Sequence, residues 1–350
     1  MKILVIGNQG YLGSVVTQRL GVCKEYIIDG LDTAFYSHCI TSNSKNDDFG
    51  IRHQYFKDVR DVSRNDLKGY DAIVYLAALS NDPMGKVFQE LTIDINYKAA
   101  IKIASKAMTI GVNHFIFASS CSVYGYAEGM LTERSNLAPL TTYASTKINV
   151  EKELKVLESA KFRITCLRFA TACGWSPRLR LDLVLNDFVA SAISSNRIKI
   201  LSDGSPWRPI IHVGDMTRAI EWALNRTDGL NYLIVNVGRN DWNFRISDLA
   251  IAVKAQIPNT KIEINTNAIP DHRSYKVDFS LFKELAPNNQ PIFSLSDTIR
   301  ELVDGLSLIE FNNIEFRKSN TFIRLNTLKS LQIDNQINKK LKWISVNDKN

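Results

Sequence analysis

A short apolar run, Lys2-Ile3-Leu4-Val5-Ile6, breaks at once into Gly7-Asn8-Gln9-Gly10-Tyr11-Leu12-Gly13 and then into an amphipathic stretch from Leu12 to Leu20. Few chain geometries accommodate a strand, three glycines at this spacing and a helix in direct succession. The glycines permit a tight turn, let backbone amides approach an anion, and bring the helix close to the strand it follows. An anion held there sits at the positive end of the helix. The opening run is not expected to be a signal peptide, and no apolar run reaches the roughly 18 residues that a membrane span needs.

The rest of the first half repeats the same alternation. Strands are expected at Tyr26 to Leu31, Gln54 to Lys57, Ala72 to Leu76, Phe115 to Ala118 and Arg163 to Arg168, and helices at Asp94 to Ile110 and Thr142 to Leu157. Short strands alternating with longer helices specify an α/β fold, a Rossmann-type doubly wound parallel sheet. From Gly174 the alternation breaks. Pro177, Pro206 and Pro209 bracket polar loops, with a helix-like Leu183 to Ser194 between them and strand-like runs at Pro209 to Val213 and Tyr232 to Val237. We therefore expect a dinucleotide-binding domain over 1–173 and 208–238 and a smaller, discontinuous substrate lobe over 174–207 and 239–310. A basic tail over 311–350 would follow.

The net charge is +7, but residues 311–350 hold eight Lys/Arg against three acids and so carry a surplus of five. The basic residues are scattered, the body is near neutral, and a solvated, partly helical tail explains the excess better than a nucleic-acid-binding arm. Cys23, Cys39, Cys121, Cys166 and Cys173 are odd in number and lack CxxC spacing. Disulfide and zinc frameworks are thus not expected, and a reducing cytoplasm fits.

An acid at the end of the second strand completes the glycine-turn pattern. It is Asp32, or Asp29 if the register differs; a carboxylate there accepts from a ribose diol and repels a 2'-phosphate. Thr33-Ala34-Phe35-Tyr36 offers no cation to hold such a phosphate, so the expected cofactor is NAD. Asp58, after the third strand, either accepts from the adenine amino group or caps the next turn.

Tyr143 and Lys147 lie four apart at the start of a predicted helix and so share one face. The ammonium would favour the phenolate and make the phenol a usable base. Ser119-Ser120-Cys121-Ser122 ends the preceding strand where active sites of open α/β sheets lie, and a serine there can hydrogen-bond a substrate hydroxyl as its proton leaves.

Together these motifs, in this order over roughly residues 1 to 310, resemble the extended short-chain dehydrogenase/reductases, in particular the NAD-dependent nucleotide-sugar epimerase/dehydratase family. The resemblance implies that Gly7, Gly10 and Gly13 bind the dinucleotide, that Ala77 in Leu76-Ala77-Ala78 lines the cofactor, and that Tyr143 is the base with Lys147 on the nicotinamide ribose. Counting back from Val123-Tyr124-Gly125, it places the catalytic hydroxyl at Ser120. It implies a structural role for Asn96. It also implies a nucleotide-diphosphate sugar as the bound partner, contacted by Asn186, Arg208 and Arg273, of which two guanidiniums suit a diphosphate. His212 is expected to be a packed strand residue.

Departures from the pattern narrow the reaction. The dehydratase branch has Asp and Glu after its catalytic Thr, where this chain has Cys121 and Ser122, and the cysteine-dependent epimerases place their Cys one position later than Cys121. Cys121 is therefore expected to be a small buried residue. The reading is a 4-epimerase that oxidises C4 transiently with Tyr143 as base. The runner-up is a 4-ketoreductase or C4 dehydrogenase on the same site, and a catalytically silent NAD-binding regulator is the alternative of another class. A homodimer is expected through Asp94 to Ile110 and Thr142 to Leu157. The first is rich in small residues, and Ile101, Met108, Ile148 and Leu154 have no obvious intrachain cover.

Overall fold

The computed structural model describes residues 1–41, 50–265, 268 and 273–344. In chain order the first half contains β1 (Lys2–Ile6), α1 (Tyr11–Gly21), β2 (Ile27–Asp32), β3 (Ile51–Phe56), β4 (Ala72–Tyr75), α2 (Asp82–Val87) and α3 (Gln89–Thr92). A π-helical stretch over Ile93–Lys98 runs into α4 (Ala99–Thr109), followed by β5 (His114–Ser120), β6 (Met130–Leu131), α5 (Thr142–Leu157), β7 (Arg163–Phe169) and β8 (Thr171–Cys173). The second half contains α6 (Val184–Ser195), β9 (Arg197–Ile200), β10 (Trp207–His212), α7 (Val213–Asn225), β11 (Tyr232–Val237), β12 (Asn243–Arg245) and α8 (Ile246–Gln256). It closes with β13 (Lys261–Ile264), β14 (Lys276–Val277), α9 (Ser280–Leu285), α10 (Leu295–Leu308) and α11 (Arg324–Ile333).

Seven strands form one sheet in the order β11-β7-β5-β4-β1-β2-β3, and every neighbouring pair is parallel. The central strands are continuous apolar runs because both faces are covered. On β1, Ile3 and Val5 face α1 and α7, while Leu4 and Ile6 face the side of α4 and α5. The strand order reverses between β1 and β4, so a crevice opens beyond their carboxyl ends.

The substrate lobe has its own core, in which Leu185, Val189, Leu249, Ile299 and Leu302 meet. The strand expected at Pro209 to Val213, within the 208–238 segment assigned to the dinucleotide-binding domain, does not join the main sheet. The edge beside β7 is taken by β11, so β10 pairs instead with β8 and β12 in a three-stranded sheet between the lobes. His212, at its end, is 2% exposed and accepts from the Gly214 N–H through Nδ1.

The tail is also corrected. Residues 311–344 are not a solvated arm. Phe311 and Phe316 pack into the substrate lobe, whereas Leu328, Leu331, Ile337 and Leu341 pack under the dinucleotide domain beside α4 and α5. Arg317, Lys318, Lys329, Lys339 and Lys340 lie exposed on the outer face of this strap while Arg324 is buried, and together they conceal an apolar period in a segment whose average reads as polar. At its end the Trp343 indole N–H donates to the Thr33 carbonyl at 2.6 Å, and its ring meets Phe35 at 5.5 Å. Lys349 lies outside the described residues.

Two supports for the homodimer are answered within the chain. Ile148 and Leu154 are 6% and 0% exposed, Ile101 and Met108 pack against the same core, and Ala99, Ala100, Ala104 and Ala107 face the sheet. The small residues let α4 approach its own sheet closely.

Candidate active site

The glycine turn is built as its spacing demands. Gly7 has φ +90°, and a Cβ there would come within 2.6 Å of the Ala77 backbone nitrogen, so β1 and β4 could not end side by side with any other residue. A Cβ on Gly13 would overlap the Gly7 carbonyl. Gly10 precedes α1 without a side-chain cap, so the first-turn N–H groups of the helix are left for an anion. All three glycines line a cavity of about 870 Å³ that also reaches Ala77, Asp32, Asp58, Ser120, Tyr143, Lys147, Arg208 and Arg273.

Asp32 and Asp29 are now distinguished. Asp29 is buried in mid-strand, bound by Arg52 and by the Tyr70 hydroxyl. Asp32 ends β2 in the cavity, and its two oxygens accept one backbone N–H each, from Gln9 at 3.0 Å and Ala34 at 2.8 Å. A carboxylate offers about four acceptor directions, which leaves two for a ribose diol. Burial pushes its pKa up, and those two N–H groups oppose the shift. Asp58 caps the turn at Val59–Asp61 by accepting from the Arg60 N–H, and it also lines the cavity. Asn96 grips the loop after β4 by accepting from the Leu79 N–H and donating to the Leu79 carbonyl. The open glycine cradle, the uncapped helix and the half-satisfied Asp32 all fit NAD.

Ser120 ends β5, and Tyr143 and Lys147 lie on the first turns of α5, whose start is capped by the Thr141 side chain. The Ser120 hydroxyl shares the cavity with the Tyr143 phenol and accepts from the Ser122 N–H. Lys147 is 3% exposed and donates to the Ala118 carbonyl at 2.6 Å, with its ammonium 5.5 Å from the Tyr143 ring centre. The expected effect of Lys147 on the phenol is not what this geometry gives. Burial, and then the Asp82 carboxylate, push Tyr143 up to about 12, and the groups that hold it down are Ser120 and Arg180. Burial brings Lys147 itself down to about 8, against the pull of Glu151. The ammonium is instead spent on the Ala118 carbonyl near the end of β5.

Arg208 lies over the Tyr275 ring, donates to the Trp207 and Arg273 carbonyls, and lines the cavity. Arg273 pairs with Asp82 at 2.9 Å across the mouth, while its neighbours Asp271 and His272 lie outside the described residues. Asn186 is not brought to the cavity. It is 0% exposed, accepts from the Gly174 N–H and donates to the Gly174 and Arg180 carbonyls, so its amide is spent on the chain between β8 and α6.

The sequence reading missed Asp82, Arg180, Asp182 and Arg324, all of which line the cavity. A signal existed in Arg178-Leu179-Arg180-Leu181-Asp182, where charges alternate with leucines in a segment taken for a polar loop. Cys121 is fully buried against the Arg168 carbonyl, and burial pushes its thiol far up. All five cysteines are free. No metal cluster is found among the described residues, and none of their helices is long and apolar enough to cross a membrane.

Comparison with known proteins agrees with this geometry. An uncharacterized UDP-glucose epimerase, YtcB of Bacillus subtilis (strain 168), is 28% identical over 234 residues, covering 65% of this chain and 73% of that protein. A UDP-glucose 4-epimerase of Streptomyces lividans is 26% identical over 270 residues, covering 72% and 80%. The structure of a UDP-glucuronic acid 4-epimerase from Bacillus cereus, in complex with UDP-glucuronic acid and NAD, superimposes with a TM-score of 0.75 at 23% identity, covering 88% of this chain and all of that one. The model of the NAD dependent epimerase/dehydratase family matches residues 3–238, and the chain is an NAD-dependent enzyme belonging to that family.

Proposed function

We propose that the chain is a nucleotide-sugar 4-epimerase. The observation that carries the reading is that Ser120 at the carboxyl end of β5 and Tyr143 and Lys147 at the start of α5 line one cavity with the glycine turn, beside two positions that hold no acid and no exposed thiol. NAD, when bound, supplies the hydride acceptor and donor. Tyr143 takes the proton of the C4 hydroxyl, and Ser120 orients that hydroxyl and the phenol toward each other. Lys147 is placed to hold the nicotinamide ribose, and Arg208 and Arg273 to hold the diphosphate of the sugar nucleotide. The 4-keto sugar then turns over and regains hydride on its other face, so the cycle needs no external redox partner. The absence of an acid at Cys121 and Ser122 disfavours elimination of water along the sugar ring.

The test is a panel of UDP-, dTDP-, GDP- and CDP-sugars supplied to the purified protein. Formation of an isomer without stoichiometric NADH supports epimerisation. Absorbance at 340 nm that tracks product one to one replaces it with the dehydrogenase or ketoreductase reading on the same residues. Self-association as a homodimer now rests on the outer faces of α4 and α5, where Val156 is exposed. A monomer mass by light scattering at micromolar concentration, with catalysis intact, removes it.

A further inference from the structure

Two arginines from outside the glycine turn stand in the middle of the cavity. Arg180 comes from the segment between β8 and α6, and Arg324 from the first turn of α11 in the C-terminal strap. They are 7% and 1% exposed. Arg180 pairs with Asp182 at 2.8 Å and donates to the Ser80 hydroxyl at 2.9 Å, in the loop after β4. It lines the cavity together with Tyr11 on the first turn of α1, Tyr36 beyond Asp32, and Tyr143. Arg324 lies 4.7 Å above the Tyr36 ring, and its hydrogen bonds go to the carbonyls of Thr321, Arg178 and Leu179. Its Nε is buried without a hydrogen-bond partner.

Of the carboxylates beside the buried, neutral Tyr36 phenol, Asp182 is ion-paired with Arg180 and Asp32 is held by backbone N–H groups, and among the described residues Arg324 has no ion pair. A buried guanidinium without an ion pair, and with one donor unsatisfied, is costly unless an anion arrives with the ligand. The same cavity is lined by the uncapped start of α1 at Gly10, which favours an anion by the same electrostatics. We propose that Arg180 and Arg324 form a cationic clamp on the pyrophosphate of the dinucleotide, acting together with the glycine turn. The C-terminal strap is thereby part of the cofactor site, although it lies outside the region matched by the family model. The clamp holds the same diphosphate whether the sugar chemistry is epimerisation or net redox.

The test measures the affinity of the full chain for NADH, ADP, adenosine and UDP by competition against NADH fluorescence. Two variants are compared with the parent after near-UV circular dichroism has checked packing. They are Arg324→Met, and Arg180→Met combined with Asp182→Leu so that no carboxylate is stranded. ADP and NADH are expected to bind at least tenfold more weakly in each, with adenosine and UDP changed less than twofold. Equal losses for adenosine and ADP reduce the arginines to packing and overturn the clamp. A loss confined to UDP assigns them to the other nucleotide and overturns it equally. Arg324→Lys, which keeps stem and charge, provides the readout if the neutral variants do not fold. ADP affinity is expected within threefold of the parent, and a tenfold loss shared by adenosine overturns the proposal.

Discussion

The Ser119 hydroxyl donates to the Glu151 carboxylate at 2.5 Å and so ties β5 to α5, one residue from Ser120 and one helical turn beyond Lys147. The same carboxylate accepts from Arg168 Nε and Nη2 at 3.0 and 2.7 Å, with both side chains 3% exposed. Glu151→Gln strands the Arg168 charge and is expected to cost about 3–5 kcal/mol. It should also lower kcat more than it raises KM, because the helix bearing Tyr143 loses its hold on the strand bearing Ser120. Urea unfolding and steady-state kinetics on the same preparation check both.

Lys147 carries a pH signature. Its ammonium is brought down to about 8 by burial, whereas an unfolded lysine titrates near ~10.4. Between those values the unfolded chain holds a proton that the folded chain has released, so stability rises with pH across the window; below it both states are charged and the cost is constant. Lys147→Met is expected to be more stable than the parent at pH 7 by on the order of 1–2 kcal/mol, net of the lost Ala118 hydrogen bond. That margin should fade by pH ~10.5, and calorimetry at several pH values follows it.

Tyr143→Phe removes the acid/base hydroxyl and keeps the ring. Turnover on the best sugar nucleotide should fall about 10²–10⁴-fold, with NADH affinity little changed. A variant that kept full turnover would withdraw Tyr143 from the chemistry. A parent protein with no turnover on any sugar nucleotide, yet tight NAD binding, would make the chain a regulator.

Asp32→Asn keeps the shape of the residue that accepts from Gln9 and Ala34 and removes its charge. Like charges 4 Å apart repel by about 4 kcal/mol at an effective dielectric of 20, so the preference for NADH over NADPH should shrink at least tenfold. Fluorescence titration with both cofactors reads the ratio directly.

Leu328 is fully buried under the dinucleotide domain from a helix in the C-terminal strap. Leu328→Ala should cost about 2–5 kcal/mol through lost burial and a residual cavity, a loss a solvated tail could not produce. Equilibrium unfolding measures it.

The parallel sheet was legible because central strands must be apolar on both faces, and Ile3 to Ile6 write that requirement without interruption. The glycine turn, Asp32 and the Ser120, Tyr143 and Lys147 set were legible because each is local, with spacing and chemistry carried within a few residues. What stayed hidden was set by distance along the chain. Nothing near Arg180 announces that Ser80 receives it, and nothing near Leu328 reveals the core it enters. Asn186 shows the reverse failure, for a motif position was legible while its amide had been committed to Gly174 and Arg180.

The bond between Trp343 and the Thr33 carbonyl joins residues 310 apart. On a ribosome the loop bearing Asp32 emerges long before its partner, with most of the chain made between them. The glycine turn, by contrast, needs only its neighbours and β4. Contacts of such long sequence separation form late because the intervening chain must first be ordered. The end of the cavity at Asp32 is therefore finished only after the strap has been made, and until then the sheet carries an open flank.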